Sequence, residues 1–433
     1  MSATDTRDSR PEGPVSGPVG LEAEATQAEA EEQAFRGEAR TWLEAHARRK
    51  APDEGNLARY RFLGDPSPEA DAEHVRRCKE WQRTLYDGGW AGITWPKEYG
   101  GRGGTPAQAR VFAQEEARFD VATGTFAVGI GMVGPTLIAH GTDAQKDRYL
   151  PALLRGDEVW CQLFSEPGAG SDLAGLRTRA VRDGDEWVVN GQKVWSSGAH
   201  HSDLGILLAR SDPDVPKHRG ITYFLVDMRS PGIEVRPLRQ ITGVAHFNEV
   251  FLTDVRIPHE NVVGEPNAGW GVALTTLGNE RTLIGGGTGL GFRDVLRLAQ
   301  AHGRTDDPVV RQALAGAYMR YEIMKYLGQR AQAAARAGRP PGPESSVLKL
   351  VVSNNVARNG DLVLALEGPN GMLQHDDAPD GGFWQQQFLG QWGVRIGGGT
   401  DQVQRNVIGE RVLGLPAEPR PDKSMPFREL PGS

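Results

Sequence analysis

Leu163-Phe164-Ser165-Glu166-Pro167-Gly168-Ala169-Gly170-Ser171-Asp172 leaves an apolar strand and enters a glycine-rich loop. Successive backbone N–H groups in such a loop can form an anion-binding concavity, and Ser165 and Ser171 add hydroxyl donors beside it. On residue types alone the same stretch also fits an ordinary strand-terminating turn. Its position, near the point where the texture of the chain changes, gives it weight.

Upstream, to about residue 158, the pattern is helical. Phe35, Ala39, Trp42, Leu43 and Ala47 fall on one helix face, and the periodicity returns over 75–86 and 108–119. Downstream, runs rich in β-formers cover 186–195, 204–209, 221–227, 233–237 and 248–257, bounded by Gly, Pro or Asp. Asn190-Gly191 reads as a hairpin turn between two of them, because a type I′ turn needs positive φ at both central residues. From Trp270 helical patterns resume over 275–300, 308–337, 345–367 and 401–413, and Pro340-Pro341-Gly342-Pro343 separates two of these. The order is helical, β, helical. The expected organisation is a disordered acidic tail (1–30), a helical domain (31–158), a β domain (159–268), a helical domain (269–416) and a Pro-rich tail (417–433).

Composition excludes several classes. A chain of 433 residues, 24% charged and 38% hydrophobic, buries a sizeable core. Its net charge of −7 is concentrated in residues 1–33, where eight acids face Arg7 and Arg10, so no basic stripe for nucleic acid exists. Two cysteines, Cys78 and Cys161, make neither a disulfide framework nor a thiolate metal cage. With no run of 18 apolar residues and no secretory leader pattern, a cytoplasmic protein without a membrane span is expected.

Smaller motifs have plain readings. Gly129-Ile130-Gly131-Met132-Val133-Gly134 matches a dinucleotide pattern but is followed by Pro135 and lies in no strand–helix alternation, so it reads as a helix with small residues for close approach. Gly285-Gly286-Gly287 reads as tight helix packing. His200-His201 reads as surface histidines, with no further ligand type at metal spacing. Asn279-Glu280-Arg281, on a helix, is ordinarily a solvated charged pair, and Trp195-Ser196-Ser197 ends a strand.

In order and spacing, 165–172, Asn190-Gly191-Gln192-Lys193-Val194-Trp195, Asn248-Glu249-Val250-Phe251 with Val255-Arg256-Ile257-Pro258, Asn261-Val262-Val263-Gly264, and Gly399-Thr400-Asp401-Gln402-Val403-Gln404-Arg405 resemble the acyl-CoA dehydrogenase family over about 35–416. That resemblance implies an α+β multidomain fold: an N-terminal helical domain, a middle antiparallel β-barrel domain and a C-terminal four-helix bundle that oligomerises. It also implies FAD. Phe164 and Ser165 would meet the flavin pyrimidine edge, Gly170 and Ser171 the pyrophosphate, Trp195 one side of the ring and Ser197 its N5; Thr400 and Gln402 would bind the cofactor near the subunit boundary.

The reaction implied is α,β-dehydrogenation of an acyl-CoA thioester to a trans-2-enoyl-CoA, with electrons passed to an electron-transfer flavoprotein. A carboxylate takes the α-proton while the β-hydride goes to flavin N5. Many members carry that base in a Tyr-Glu-Gly-Thr motif; this chain has Gly397-Gly398-Gly399-Thr400. Gly398 can then offer only its N–H to the thioester oxygen. In a second branch the Glu directly precedes a helix arginine, and Glu280-Arg281 fits, making Glu280 the expected base and Arg281 its electrostatic neighbour. Arg304 fits the arginine that meets the adenine half of FAD in a neighbouring subunit, but 305–308 lacks the family's Phe-Gly, and 366–371 lacks a preceding Gln and one Gly. A homodimer or homotetramer is expected, with a heteromeric assembly as the alternative. An oxidase or monooxygenase on the same fold, or a silent partner subunit, stays open. Small residues over 123–134, where family members line the acyl pocket, leave room for a long or bulky acyl group.

Overall fold

The computed structural model describes residues 18–50, 67–285, 290–336 and 342–430. Helices α1 (Pro18–His46), α2 (Pro68–Asp87), α3 (Pro106–Glu116), α4 (Gly134–His140) and α5 (Asp143–Arg155) form the first domain. Their starts follow from capping chemistry: the Ser67 side chain accepts from Ala70 N–H, and Thr105 with Gln108 and Thr142 with Gln145 make capping boxes. Phe35, Ala39 and Leu43 of α1 pack with Trp81, Trp90 and Phe112, the face that helical spacing predicts. Helix α1 begins at Pro18, so residues 18–30, expected to be disordered, are helical; Ala and Glu there are strong helix formers. Residues 1–17 lie outside the described residues.

The middle domain is one curled sheet of β1 (Trp160–Leu163), β2 (Arg179–Asp183), β3 (Glu186–Lys193), β4 (Leu204–Arg210), β5 (Ile221–Asp227), β6 (Ile233–Leu238) and β7 (Phe247–Pro258). The order is β1-β4-β2-β3-β7-β6, with β5 also on β4. Pairings are antiparallel except β1–β4 and the single-residue β2–β4 contact. The hairpin expected at Asn190-Gly191 is not there. Strand β3 runs through both residues, and the turn is one hairpin earlier, at Gly184-Asp185, where Gly184 takes φ +63. Asn190 instead closes a bulge against β7: its Oδ1 accepts from Asp254 N–H and its Nδ2 donates to Asp254 Oδ1. Gly191 is needed for proximity, since a Cβ there would lie 2.4 Å from Thr178 Oγ1.

The third domain comprises α6 (Gly269–Gly285), α7 (Phe292–Ala301), α8 (Pro308–Arg336), α9 (Ser345–Glu367), α10 (Phe383–Ile396) and α11 (Asp401–Val407). Helix α10 escaped the sequence reading because Gly390 and Gly393 and a run of glutamines interrupt its apolar periodicity. Gly286 and Gly287 lie outside the described residues. The Pro-rich C-terminal segment, described as far as Leu430, docks on the β domain: Phe427 is buried, its N–H donates to Val215 O, and the Arg210 guanidinium lies 3.8 Å from its ring centre. None of the described helices is long and apolar enough to cross a membrane.

Candidate functional site

Strand β1 delivers Phe164 and Ser165 to the sheet edge, where the chain reverses: Glu166 and Ala169 exchange two backbone hydrogen bonds of 3.0 Å around Pro167-Gly168. Two residues hold this turn from below. Lys193 Nζ, at the end of β3 and fully buried, donates to Phe164 O at 3.0 Å and Glu166 Oε1 at 2.8 Å. Glu166 also accepts from the N–H groups of Arg177 and Thr178 at 2.6 and 2.9 Å. Burial alone would raise the Glu166 carboxyl, but the Lys193 charge and these donors outweigh it and hold it below the usual carboxylate range. Burial pushes the Lys193 ammonium down.

The strand then continues into Trp195. Val194 N–H donates to Ser165 O at 2.9 Å, and Ser196 N–H donates to Asn248 O at 3.1 Å, so both neighbours of Trp195 are tied to other strands. Between them Trp195 has φ +62, a costly conformation for a bulky residue, and its side chain is exposed against the edge of Phe247. Phe164, Ser165, Trp195 and Ser197 thus belong to one bonded unit, with Gly170 and Ser171 on the loop that leaves it.

The donor set of this unit fits a flat ring carrying an anionic group. Among the described residues no hydrogen bond engages the side chains of Ser165, Ser171 or Ser197. Gly168 and Gly170 are exposed, and a Cβ at either would meet nothing within 4 Å, so backbone faces open space there. The Phe164 side chain, by contrast, is core, edge-on to Tyr223.

The expected proton-transfer elements lie in the third domain. Glu280, half-buried on α6, sits one turn beyond Thr276, whose Oγ1 is 2.9 Å from Thr136 Oγ1 on α4 and 3.1 Å from Tyr223 Oη. That spacing puts Glu280 on the face of α6 turned toward α4, which continues the π-helical turn Gly129–Val133; such turns recur at functional sites. Gly134 in this segment is there for proximity, because a Cβ would lie 2.0 Å from Trp95 Cζ2. The side chain of Arg281 lies outside the described residues. Gly398 has φ +64, and its carbonyl and that of Gly399 accept from Gln404 Nε2 at 3.0 and 3.3 Å. Thr400 Oγ1 caps α11 through Val403 N–H, and Gln402 is exposed beside it.

Sequence reasoning missed what anchors this loop. Asp401 is buried and accepts from Ser353 Oγ at 2.6 Å and Arg395 Nε at 3.2 Å, with Lys349 Nζ 3.5 Å away. Arg304 donates to Asp307 Oδ2 of its own loop at 2.7 Å. Among the described residues no hydrogen bond joins Arg304, Thr400 or Gln402 to the Phe164–Ser197 unit. His200 and His201, expected to be surface histidines, instead meet Asp71 of α2, 129 and 130 residues earlier. No local spacing could signal either cluster, since both are assembled by tertiary contact.

Family models described as acyl-CoA dehydrogenase N-terminal, middle and C-terminal domains match residues 61–157, 161–255 and 267–413. The acyl-CoA dehydrogenase IpdE1 of Mycobacterium tuberculosis is 40% identical over 390 residues, covering 89% of this chain and 98% of that protein. Among solved structures, one titled "Tcur3481-Tcur3483 steroid ACAD" aligns at TM-score 0.76 and 31% identity over 90% of this chain and 98% of that one. The ChsE4-ChsE5 complex from Mycobacterium tuberculosis aligns at TM-score 0.72 and 30% identity, with the same coverage.

Proposed function

We infer, for a chain that belongs to the acyl-CoA dehydrogenase family of FAD-binding oxidoreductases, that it removes the α-proton and β-hydride of an acyl-CoA thioester with Glu280 as base. The observation that carries this reading is the division of labour between Gly398 and Glu280. Position 398 has no side chain, takes left-handed φ and has its carbonyl tied to Gln404, so it cannot supply an acid. Glu280 offers one, half-buried on the α6 face beside the π-turn.

Each group then has a task. The Glu280 carboxylate accepts the α-proton as general base. In this reading the Gly398 N–H holds the thioester oxygen as charge develops there. Trp195, held through its neighbours by Ser165 and Asn248, would cover one side of the flavin ring, with Phe164 and Ser165 at its pyrimidine edge, Ser197 toward N5 and Gly170 and Ser171 holding the pyrophosphate. Bound FAD supplies the acceptor for the β-hydride. The electrons would pass on to an electron-transfer flavoprotein. Likeness to a structure titled a steroid ACAD favours a bulky, ring-bearing acyl group over a short one.

A heteromeric assembly is favoured by the sequence around Arg304: residues 305–308 lack the family's Phe-Gly, and 366–371 lack a preceding Gln and one Gly, at positions expected to meet a neighbour's FAD. Likeness to the ChsE4-ChsE5 complex supports the same reading. Exposed Tyr318, Met319, Ile323 and Tyr326 on α8 and Trp392 and Ile396 on α10 suit burial against another chain. Anaerobic titration with acyl-CoA thioesters tests the whole reading. Flavin bleaching by ring-bearing or long-chain thioesters is expected; a flavin that bleaches with none, or only with butyryl-CoA, contradicts it, and peroxide release under air would mark an oxidase.

A further inference from the structure

We propose that Asp71, His200 and His201 form a binding site for one divalent transition ion of the zinc class, which pins the first turn of α2 to the loop following Ser197. His200 Nε2 and His201 Nε2 lie 2.9 and 2.8 Å from the same oxygen, Asp71 Oδ2, and the three ligand atoms lie within 4.8 Å of one another. Two imidazole nitrogens and one carboxylate oxygen are a zinc ligand set that leaves a fourth position for water. Zinc bonds of ~2.0–2.1 Å with tetrahedral angles put ligand atoms roughly 3.3 Å apart, so each imidazole nitrogen needs to move only a few tenths of an ångström from the Asp71 oxygen. The three side chains are about one-fifth exposed, which leaves an entry path.

The hydrogen bonding around His200 fixes which nitrogen is free to bind metal. Asn248 Nδ2 donates to two carbonyls, Ser196 O at 2.9 Å and His246 O at 3.2 Å, which sets the amide orientation and turns Oδ1 toward His200. His200 Nδ1, 3.1 Å from that acceptor, therefore carries the proton. In neutral His200 the lone pair is then on Nε2, aimed at a carboxylate oxygen, an arrangement that requires either a second proton or a cation between them. An Nδ1–H anchored to a carbonyl-type oxygen is the arrangement that orients metal-bound histidines. The His200 and His201 rings are 4.1 Å apart, so their two Nε2 atoms converge on the one Asp71 oxygen.

The ion would join the first domain to the unit that presents Trp195, since Asn248 links His200 to the carbonyl of Ser196. The FAD-loaded protein, stripped with a chelator and dialysed, is titrated with Zn²⁺ by calorimetry and with Co²⁺ by visible absorption. About one saturable equivalent per chain, with ligand-field absorption of a four-coordinate Co²⁺, is expected. Asp71→Asn and His201→Gln should each weaken Zn²⁺ binding at least ~10-fold while circular dichroism stays that of the wild type. Absence of saturable binding by the wild-type protein, or binding that both substitutions leave unchanged, overturns the proposal. So does a melting temperature that falls as pH rises through the histidine range whether or not Zn²⁺ is added, which would identify an imidazolium–carboxylate cluster.

Discussion

The ammonium of Lys193 lies 2.8 Å from Glu166 Oε1 and 3.0 Å from the carbonyl of Phe164, so one buried cation holds both sides of the turn that presents Ser165. The pair is enclosed, with 0% and 8% of the two side chains exposed. Removing one member leaves the other charge buried and alone, the costly way to break such a pair.

Lys193→Met is therefore expected to cost about 3–5 kcal/mol and to loosen Ser165, so that FAD is lost on gel filtration. Denaturant unfolding with flavin absorbance checks this; unchanged stability and flavin content would show that the turn is held by other contacts.

The same pair makes stability depend on acid. Glu166 has a folded-state pKa below its ordinary value, so its contribution is present above the unfolded-state pKa and is lost as pH falls through the lowered, folded-state one. Melting temperatures of wild type and Glu166→Gln should converge at acid pH below the ordinary Glu range. A gap that persists undiminished well below the ordinary Glu range contradicts the assignment.

Trp195 stores backbone strain that a glycine would not. Left-handed φ costs a non-glycine residue ~1–2 kcal/mol, and the chain entropy of glycine returns ~0.5–1 kcal/mol of that. Trp195→Gly should leave the stability of the FAD-free protein within about 1 kcal/mol of wild type while weakening FAD binding. A loss of several kcal/mol would mean the indole is packed core rather than a cover.

Gly399 tests the loop that stands where the common base is missing. It has φ +91, and a Cβ would lie 2.6 Å from Gln404 Nε2, the donor to both Gly398 and Gly399 carbonyls. Gly399→Ala is expected to destabilise the third domain by about 1–3 kcal/mol and to raise KM more than it lowers binding of FAD. Wild-type melting and kinetics would show the loop to be tolerant.

Where local chemistry and fold agree, the sequence was a sufficient guide. The loop 163–172 follows a strand as read, and α9 spans Ser345–Glu367, the helical stretch expected from periodicity. Asn190-Gly191 shows the limit. Its turn preference is worth less than pairing of β3 with β7, which carries the strand through it, and Asn190 turns its amide to closing a bulge. Helix α10 was hidden because its apolar face is interrupted by glycines and glutamines whose partners come from elsewhere in the fold, such as Asn370 O and Thr242 O. The Asp71–His200–His201 cluster is a product of domain contact and the Asp401–Lys349–Arg395 cluster of helix packing within the third domain, and no spacing along the chain encodes either.

Glu280 as base is the central claim, and anaerobic reduction of the bound flavin by an acyl-CoA that bleaches the wild-type protein tests it most directly. Glu280→Gln should stay yellow, keep its FAD and lose at least about 10²–10⁴-fold in the bleaching rate, the contribution of a positioned general base. Bleaching of Glu280→Gln at the wild-type rate would place the base elsewhere and contradict the account.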